Sequence, residues 1–348
     1  MHKFPYKWYL KNGYPAEKNG LKVFSTFACG GGSSMGYRLA GYEVIGANDI
    51  DPQMAKVYQH NHKPKHYFLC PIGDLLTKEL PDDLYNLDIL DGSPPCSTFS
   101  ISGSREKAFG KDKKFREGQA KQVLSDLFFD WIALVDKLRP KVAIAENVKG
   151  MISGNAKAYT RAVVDKLRAI GYDVQLFCLN AASMGVPQKR ERVFFICSRR
   201  DLKLPKLKME FNERAILFGE VMEKDGDGEA LSQDSETYKR WLKRIKTDKT
   251  FGYITKRLTG KASDFNSKLI HLNSICPTMT SKESDVLYDE PRHLSKIELC
   301  QIGSYPLDYQ FLDVKPRYLI GMSVPPVMTA QIASEVYLQW FKNAKVNM

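Results

Sequence analysis

Asp91-Gly92-Ser93-Pro94-Pro95-Cys96 sets a thiol just past an apolar, strand-like run, Leu87-Asp88-Ile89-Leu90. Two prolines fix the backbone ahead of the sulfur, so Cys96 can be aimed at a substrate as a nucleophile. A second apolar run, Val142-Ala143-Ile144-Ala145, ends in Glu146-Asn147 and puts a carboxylate at another strand end. A strand-end thiol and a strand-end acid point to covalent catalysis in the mouth of an α/β sheet. A third signal is Phe27-Ala28-Cys29-Gly30-Gly31-Gly32. Glycines in such a turn let a ligand approach helix N-terminal amides, which suits a nucleotide-like cofactor. Asp49 stands at the end of the next strand, where doubly wound folds place an acid for a ribose hydroxyl. Asp74 closes the following unit, within reach of an adenine amino group. The lysine of a phosphate-binding loop is missing, so an adenosine without a triphosphate is the preferred ligand.

The elements that must hold these groups alternate. Strands are expected over Lys22–Phe27, Glu43–Asn48, Tyr67–Cys70, Leu87–Asp91, Val142–Glu146, Val174–Leu179 and Arg192–Cys197. A helix from Met35 to Ala40 is stopped by Gly41, and another from Arg161 to Ile170 by Gly171. Val123, Leu124, Leu127, Phe128, Trp131, Ile132, Val135 and Leu138 recur at helical spacing until Arg139-Pro140. This rhythm predicts a doubly wound α/β fold with a mostly parallel sheet and helices on both faces. From Arg199 to Pro291 the character changes to a basic, broken segment in which Arg240, Lys243, Arg244, Lys246 and Lys249 surround Trp241. An amphipathic stretch is expected from Val327 to Phe341. The aromatic N-terminus (Phe4, Tyr6, Trp8, Tyr9, Tyr14) is expected to pack on the main domain.

With 348 residues, 43% hydrophobic and 26% charged, the chain has the composition of a soluble globular protein of about two domains. No apolar run reaches membrane-spanning length, and Met1 to Trp8 lack the apolar region of a signal peptide. A net charge of +12 favours a polyanionic partner, foremost nucleic acid. The seven cysteines never form a Cys-x-x-Cys pair, which argues against a disulfide framework or a zinc site and for a reducing, cytoplasmic setting. Cys178 and Cys197 read as small core residues of strands.

These motifs, in this order, resemble the DNA (cytosine-5) methyltransferases. The cofactor turn at Phe27 to Gly32, Pro94-Pro95-Cys96, Glu146-Asn147-Val148 and Gln188-Lys189-Arg190-Glu191-Arg192 match, as do Arg292-His293-Leu294-Ser295 with Glu298, and Gly321-Met322-Ser323-Val324. The resemblance implies a Rossmann-like S-adenosylmethionine-dependent enzyme that methylates a flipped-out cytosine in a short double-stranded DNA sequence, leaving S-adenosylhomocysteine and using no metal. It implies Cys96, Glu146, Arg190 and Arg192 as catalytic. The cofactor would be held by Phe27, Ala28, Gly30, Gly31, Gly32, Asp49, Ile50, Asp74, Leu75, Pro94, Leu127, Ser323 and Val324. Ser97, Ser100, Ser102, Gly103 and Thr278 would contact DNA, the first four from a loop that closes over it.

Residues 1–198 and 292–348 would form the catalytic domain and 199–291 a smaller, irregular target-recognition domain. A monomer acting on DNA in a prokaryotic or phage-infected cell, beside a separate restriction endonuclease, is the implied setting. The chain departs from the family at Cys29, where glycine is usual, at Ser25, where aspartate is common, and at Met322, where asparagine is usual. Gln301 stands for an arginine and Ser97 for a glutamine. Two rivals remain: a tRNA-modifying branch, whose Cys-Phe-Thr tripeptide is not found here, and a DNA-binding protein that has lost catalysis.

Overall fold

The computed structural model describes residues 2–95, 127–154, 156–224, 226–261, 267–282 and 285–342, together with the backbone of 112–113 and 122–123. Its main sheet contains β1 (Lys22–Thr26), β2 (Glu43–Asp49), β3 (His66–Leu69), β4 (Ile89–Gly92), β5 (Val142–Val148), β6 (Tyr172–Asn180) and β7 (Glu191–Arg199). The spatial order is β3-β2-β1-β4-β5-β7-β6. β3, β2, β1, β4 and β5 pair in parallel, whereas β7 runs antiparallel to both its neighbours. The doubly wound α/β expectation holds. The order of strands reverses about β1, and in open α/β sheets ligands bind outside the carboxyl ends of strands at such a point.

Adjacent strand residues feed opposite cores, as a period of two requires. Val23, Ile89 and Ile144 face one core, which α1 (Gly32–Leu39) fills with Met35, Tyr37 and Leu39, and α2 (Pro52–His62) with Met54 and Val57. Phe24, Leu90 and Ala143 face the other, covered by Phe128, Trp131 and Val135 of α3 (Leu127–Leu138) and by Val163 and Leu167 of α4 (Ala156–Ala169). α2 starts where Asp51 accepts from the backbone N–H groups of Gln53 and Met54, with Pro52 in the first turn.

Three expectations are corrected. Val123, read as part of a helix, forms with Gln122 a two-residue strand against Asp112–Lys113, while the described helix is Leu127–Leu138. Cys178 lies exposed on the edge strand β6, with only Cys197 of that pair buried. The C-terminal stretch is amphipathic only in its second half, from Ser334 to Phe341. In α9 (Pro326–Val336) the residues from Pro326 to Ala333 are all buried, as a helix packed on several sides must be. α9 lies along α1, where Gly36 leaves room for Pro326, Thr329 and Ala330. Four of the five N-terminal aromatics pack on the main body: Phe4 and Trp8 are buried, Tyr6 and Tyr14 pack against the same core, and Trp8 Nε1 donates to the Ser304 carbonyl at 3.0 Å, whereas Tyr9 is exposed.

Beyond β7, residues 203–217 run without helix or strand, yet Leu207 and Ile216 join the core beneath α1 and α9. A separate small core gathers Leu231, Trp241, Phe251, Ile254, Leu269 and Val286 around α5 (Glu236–Leu242) and α6 (Phe251–Thr259). The chain returns through α7 (Lys296–Ile302) and α8 (Pro316–Met322). Glu298 on α7 is fully buried; it accepts from Arg292 at 2.9 Å through both guanidinium nitrogens and from the backbone of Ser295 and Glu223. Glu298→Ala removes the buried one of the two carboxylates paired with Arg292, leaving only the part-exposed Glu290, and should cost about 3 kcal/mol. Urea denaturation measures this, and a loss of under about 1 kcal/mol, as for a surface pair, would contradict the buried pairing.

Candidate active site

Three neighbouring strands, β1, β4 and β5, present their carboxyl ends side by side, about 4.8 Å apart. Glu146, near the end of β5, pairs with Arg192 of β7: Arg192 Nε stands 2.9 Å from Glu146 Oε1, and both side chains are mostly buried. The arginine fixes the carboxylate's orientation by a charge-assisted bond. Next to it, Asn147 Nδ2 reaches across to β4 and donates to the Pro94 carbonyl at 3.1 Å. Gly92 is required where it stands, since a Cβ there would lie 2.7 Å from Trp131 Cδ1 and 2.8 Å from Thr26 Oγ1. The lead-in to Cys96 is therefore held by β1, β5 and α3. Cys96, Ser97, Ser100, Ser102 and Gly103 themselves lie outside the described residues.

The glycine turn joins β1 to α1. Phe27 and Cys29 adopt positive φ (52° and 47°), so the cysteine at the usual glycine position is accommodated in a left-handed conformation that costs about 1–2 kcal/mol. The turn is held by β2: Cys29 N–H donates to Asp49 Oδ2 at 2.7 Å, and Asp51 N–H to Asp49 Oδ1 at 2.9 Å. Burial raises the Asp49 proton affinity, and these two N–H groups work against it. Ala28 packs with Ala47 and Tyr58, with Tyr67 against them. The buried Tyr67 hydroxyl has no partner among the described residues.

The glycines also serve the protein itself. A Cβ on Gly30 would meet Leu319 of α8 at 2.5 Å, one on Gly31 would meet His62 of α2, and one on Gly32 the Val324 carbonyl. Tyr309 closes the same spot by donating to the Gly30 carbonyl.

The other expected cofactor residues divide. Phe27 and Ile50 are part-exposed, whereas Pro94, Leu127, Ser323 and Val324 are buried. Asp74 is exposed, 3.6 Å from Lys78 Nζ. Leu75 lies wholly in the core under α3, its N–H donating to the Ile72 carbonyl and its carbonyl accepting from Lys137 Nζ at 2.8 Å, so the structure leaves it no free group for a ligand. Ser323 Oγ is occupied, donating to the Leu319 carbonyl at 2.8 Å. Met322 is half-exposed at the end of α8, and Gln301 donates to the Val221 carbonyl at 3.1 Å.

Arg190 does not join the Glu146–Arg192 pair. It is buried and donates to the carbonyls of Met279 and Gly321, each at 3.1 Å. Burial foremost, then the charge of Arg192, brings its proton affinity down to about 9. Thr278 is tied by its hydroxyl to the Lys189 carbonyl, and Lys268 Nζ donates to the Thr278 carbonyl at 2.8 Å. Within the basic cluster, Arg244 is stacked 3.3 Å over Trp241 and 4.9 Å from Tyr288, while Lys243, Lys246 and Lys249 are solvent-exposed.

Sequence reasoning missed Asp91. Its carboxylate is buried, accepting from Ser25 Oγ at 2.9 Å and Tyr37 OH at 3.0 Å. Ser25, which stands where aspartate is common, thus meets a carboxylate from the adjoining strand. The signal was present as an acid closing the apolar run Ile89-Leu90-Asp91, inside a strand with four buried residues.

The sheet order with one antiparallel strand, and the glycine turn at its switch point, define the Rossmann-like fold of S-adenosylmethionine-dependent methyltransferases. Residues 21–337 match C-5 cytosine-specific DNA methylase, and the chain belongs to that family. It is 34% identical over 184 residues to the Type II methyltransferase M.FnuDI of Fusobacterium nucleatum, a match covering 53% of this chain and 48% of that protein. The chain thus spans about half the length of that relative. Against the Type II methyltransferase M.XorII of Xanthomonas oryzae it is 26% identical, covering 89% of this chain and 83% of the other. A solved DNA modification methyltransferase encoded within an E. coli prophage shares the fold, with a TM-score of 0.67, 19% identity, and coverage of 92% and 99%.

Burial holds the Asp91 carboxyl proton until about pH 7, with Glu146 adding repulsion, whereas the ordinary value is 3.8. Between those values the folded chain keeps a proton that the unfolded chain releases. Stability therefore falls as pH rises through that window, and the loss is complete above it. Asp91→Asn removes this dependence. Its melting temperature relative to wild type should be higher at about pH 8 than at about pH 4; an equal difference at both would contradict a buried titrating acid.

Proposed function

We propose that this chain methylates C5 of a cytosine flipped out of double-stranded DNA within a short specific sequence. The observation that carries the reading is the 2.9 Å Arg192–Glu146 pair at a strand end whose neighbour, through Asn147, holds the proline lead-in to Cys96. Cytosine C5 is a weak nucleophile until its ring is activated. The Cys96 thiolate adds to C6, forming a C–S bond while the C5–C6 π electrons move toward C5. Glu146, oriented by Arg192, accepts from the exocyclic amine and in its acid form donates its proton to N3, which neutralises the negative charge that thiolate addition puts on the ring. After C5 has gained its methyl group, a base removes the C5 proton, the double bond re-forms and the thiolate leaves. Sulfur suits both halves, being a good attacker and a good leaving group. Arg190 supports this by bracing the strand from behind.

The donor set fits an adenosine-type cofactor. Asp49 has a carboxylate for a ribose hydroxyl, the unpartnered Tyr67 hydroxyl lies among the residues packed on the same turn, and Phe27, Ile50, Leu127, Pro94 and Val324 supply apolar walls. S-adenosylmethionine, when bound, supplies the electrophilic methyl group. Residues 199–291 would read the sequence: exposed lysines such as Lys243, Lys246 and Lys249 give affinity through phosphates, and a few polar side chains read base edges. Extruding the base costs a few kcal/mol, which contacts from Ser97, Ser100, Ser102, Gly103 and Thr278 would offset. The enzyme would act as a monomer on DNA in the cytoplasm, protecting it from a separate restriction endonuclease.

Bisulfite sequencing of DNA from cells expressing the chain should reveal one methylated sequence, lost in a Cys96→Ser variant whose turnover falls by at least about a thousandfold. Duplex DNA carrying 5-fluorocytosine should trap wild type covalently. Methylation that survives in Cys96→Ser, or label entering tRNA and not DNA, would overturn the assignment.

A further inference from the structure

Asp91 has no part in the chemistry above, yet it sits in the strand that delivers the nucleophile. It is 4% exposed. Ser25 of β1 donates to one of its carboxylate oxygens and Tyr37 of α1 to the other. Ser25 and Asp91 are register partners between β1 and β4, and Thr26 Oγ1 donates to the Asp91 carbonyl at 2.8 Å. From this anchor the chain runs Gly92-Ser93-Pro94-Pro95, and the Pro94 carbonyl is held by Asn147. The lead-in to Cys96 is thus pinned at two points, and only the one at Asp91 can change charge.

We propose that Asp91 is a positioning residue whose ionised carboxylate fixes the lead-in to Cys96, and that protonating it loosens this hold, so that turnover rises as Asp91 ionises. An ionised carboxylate accepts both hydroxyls at once, through bonds roughly twice as strong as neutral ones. A protonated acid carries a donor on one oxygen, so either Ser25 or Tyr37 must turn round or let go. The groups facing Asp91 are Ser25 from β1, Tyr37 from α1, Tyr58 from α2, which burial keeps protonated, and the charge of Glu146 from β5. Tyr37 holds its own proton tightly, through burial and through the adjacent Asp91, so it stays a donor across the working range. Among these groups the switch is Asp91, and it operates near neutrality.

This inference rests on the methyl-transfer reading for one of its two readouts only. Asp91→Asn imitates the protonated acid in shape and charge. The ratio of wild-type to variant kcat should be near one at about pH 6 and climb to roughly tenfold at about pH 8.5, with KM for S-adenosylmethionine unchanged. The second readout needs no DNA: the rate of Cys96 alkylation by iodoacetamide, located by peptide mass spectrometry. Its wild-type to variant ratio, each rate divided by the Cys96 thiolate fraction measured in that protein, should change across the same pH interval. A ratio that is flat with pH in the alkylation readout overturns the proposal. A wild type that methylates no DNA sinks the functional reading alone, and alkylation still decides for Asp91. Should Asp91→Asn fail to fold, Tyr37→Phe removes one donor and should shift the midpoint of the wild-type profile to higher pH; an unmoved midpoint counts against the proposal.

Discussion

The parallel pairing of β1, β4 and β5 is the constraint on which the site depends. In-register neighbours Ser25, Asp91 and Ile144 align the three strands, so that their carboxyl ends emerge together. The glycine turn leaves β1, the proline lead-in leaves β4 and Glu146 stands on β5. Strand spacing then sets these groups within one small molecule's length of each other with no loop having to search for them. Cross-links at the rim hold the arrangement: Thr26 to the Asp91 carbonyl, Asn147 to the Pro94 carbonyl, Arg192 to Glu146. Each of these bonds runs between adjacent strands. A register slip in one strand would break the constellation rather than distort it.

Much of this was legible in the sequence, and the reasons are local. Alternating strands and helices, with glycines at Gly31, Gly41 and Gly171, mark a doubly wound sheet before any packing is known. Glu146 is recognisable because an apolar run followed by a reactive side chain is a strand end; the same reading of Cys96 lies outside the described residues. The strand pairing of Val123 was not legible, since Val123 keeps helical spacing with the residues of α3 yet pairs with Asp112. Nor was the exposure of Cys178: it follows from β6 being the edge strand, which depends on β7 inserting between β5 and β6. Asp91 was hidden because an acid in an apolar run reads as a strand terminus, whereas its burial depends on hydroxyls that arrive from β1 and α1.

Arg190 and Arg192 show where spacing fails most instructively. Separated by one residue, they would share a face if both stood in β7. Only Arg192 lies within that strand and meets Glu146; Arg190 precedes it and turns toward Met279 and Gly321. A buried guanidinium that binds carbonyls and no carboxylate is a costly device, and the fall in its proton affinity reflects that cost. It is retained where one rigid, multi-donor group must join three chain segments that sequence keeps far apart.

Those segments bear on how the chain closes its own site. The glycine turn near the N-terminal end is packed by Leu319 and Val324 and held by Tyr309, all supplied by the last tenth or so of the chain. That late segment is fastened in turn by Trp8, Asp308 and Arg190. The glycines are therefore needed twice over, to free one side of the turn for a ligand and to let the returning helices press against the other. A turn gripped only by its own strand and helix would open and close with local fluctuations. Gripped also by α8 and the loop before α9, it is tied to the packing of the C-terminal helices, which links the order of this turn to the cooperative stability of the sheet domain.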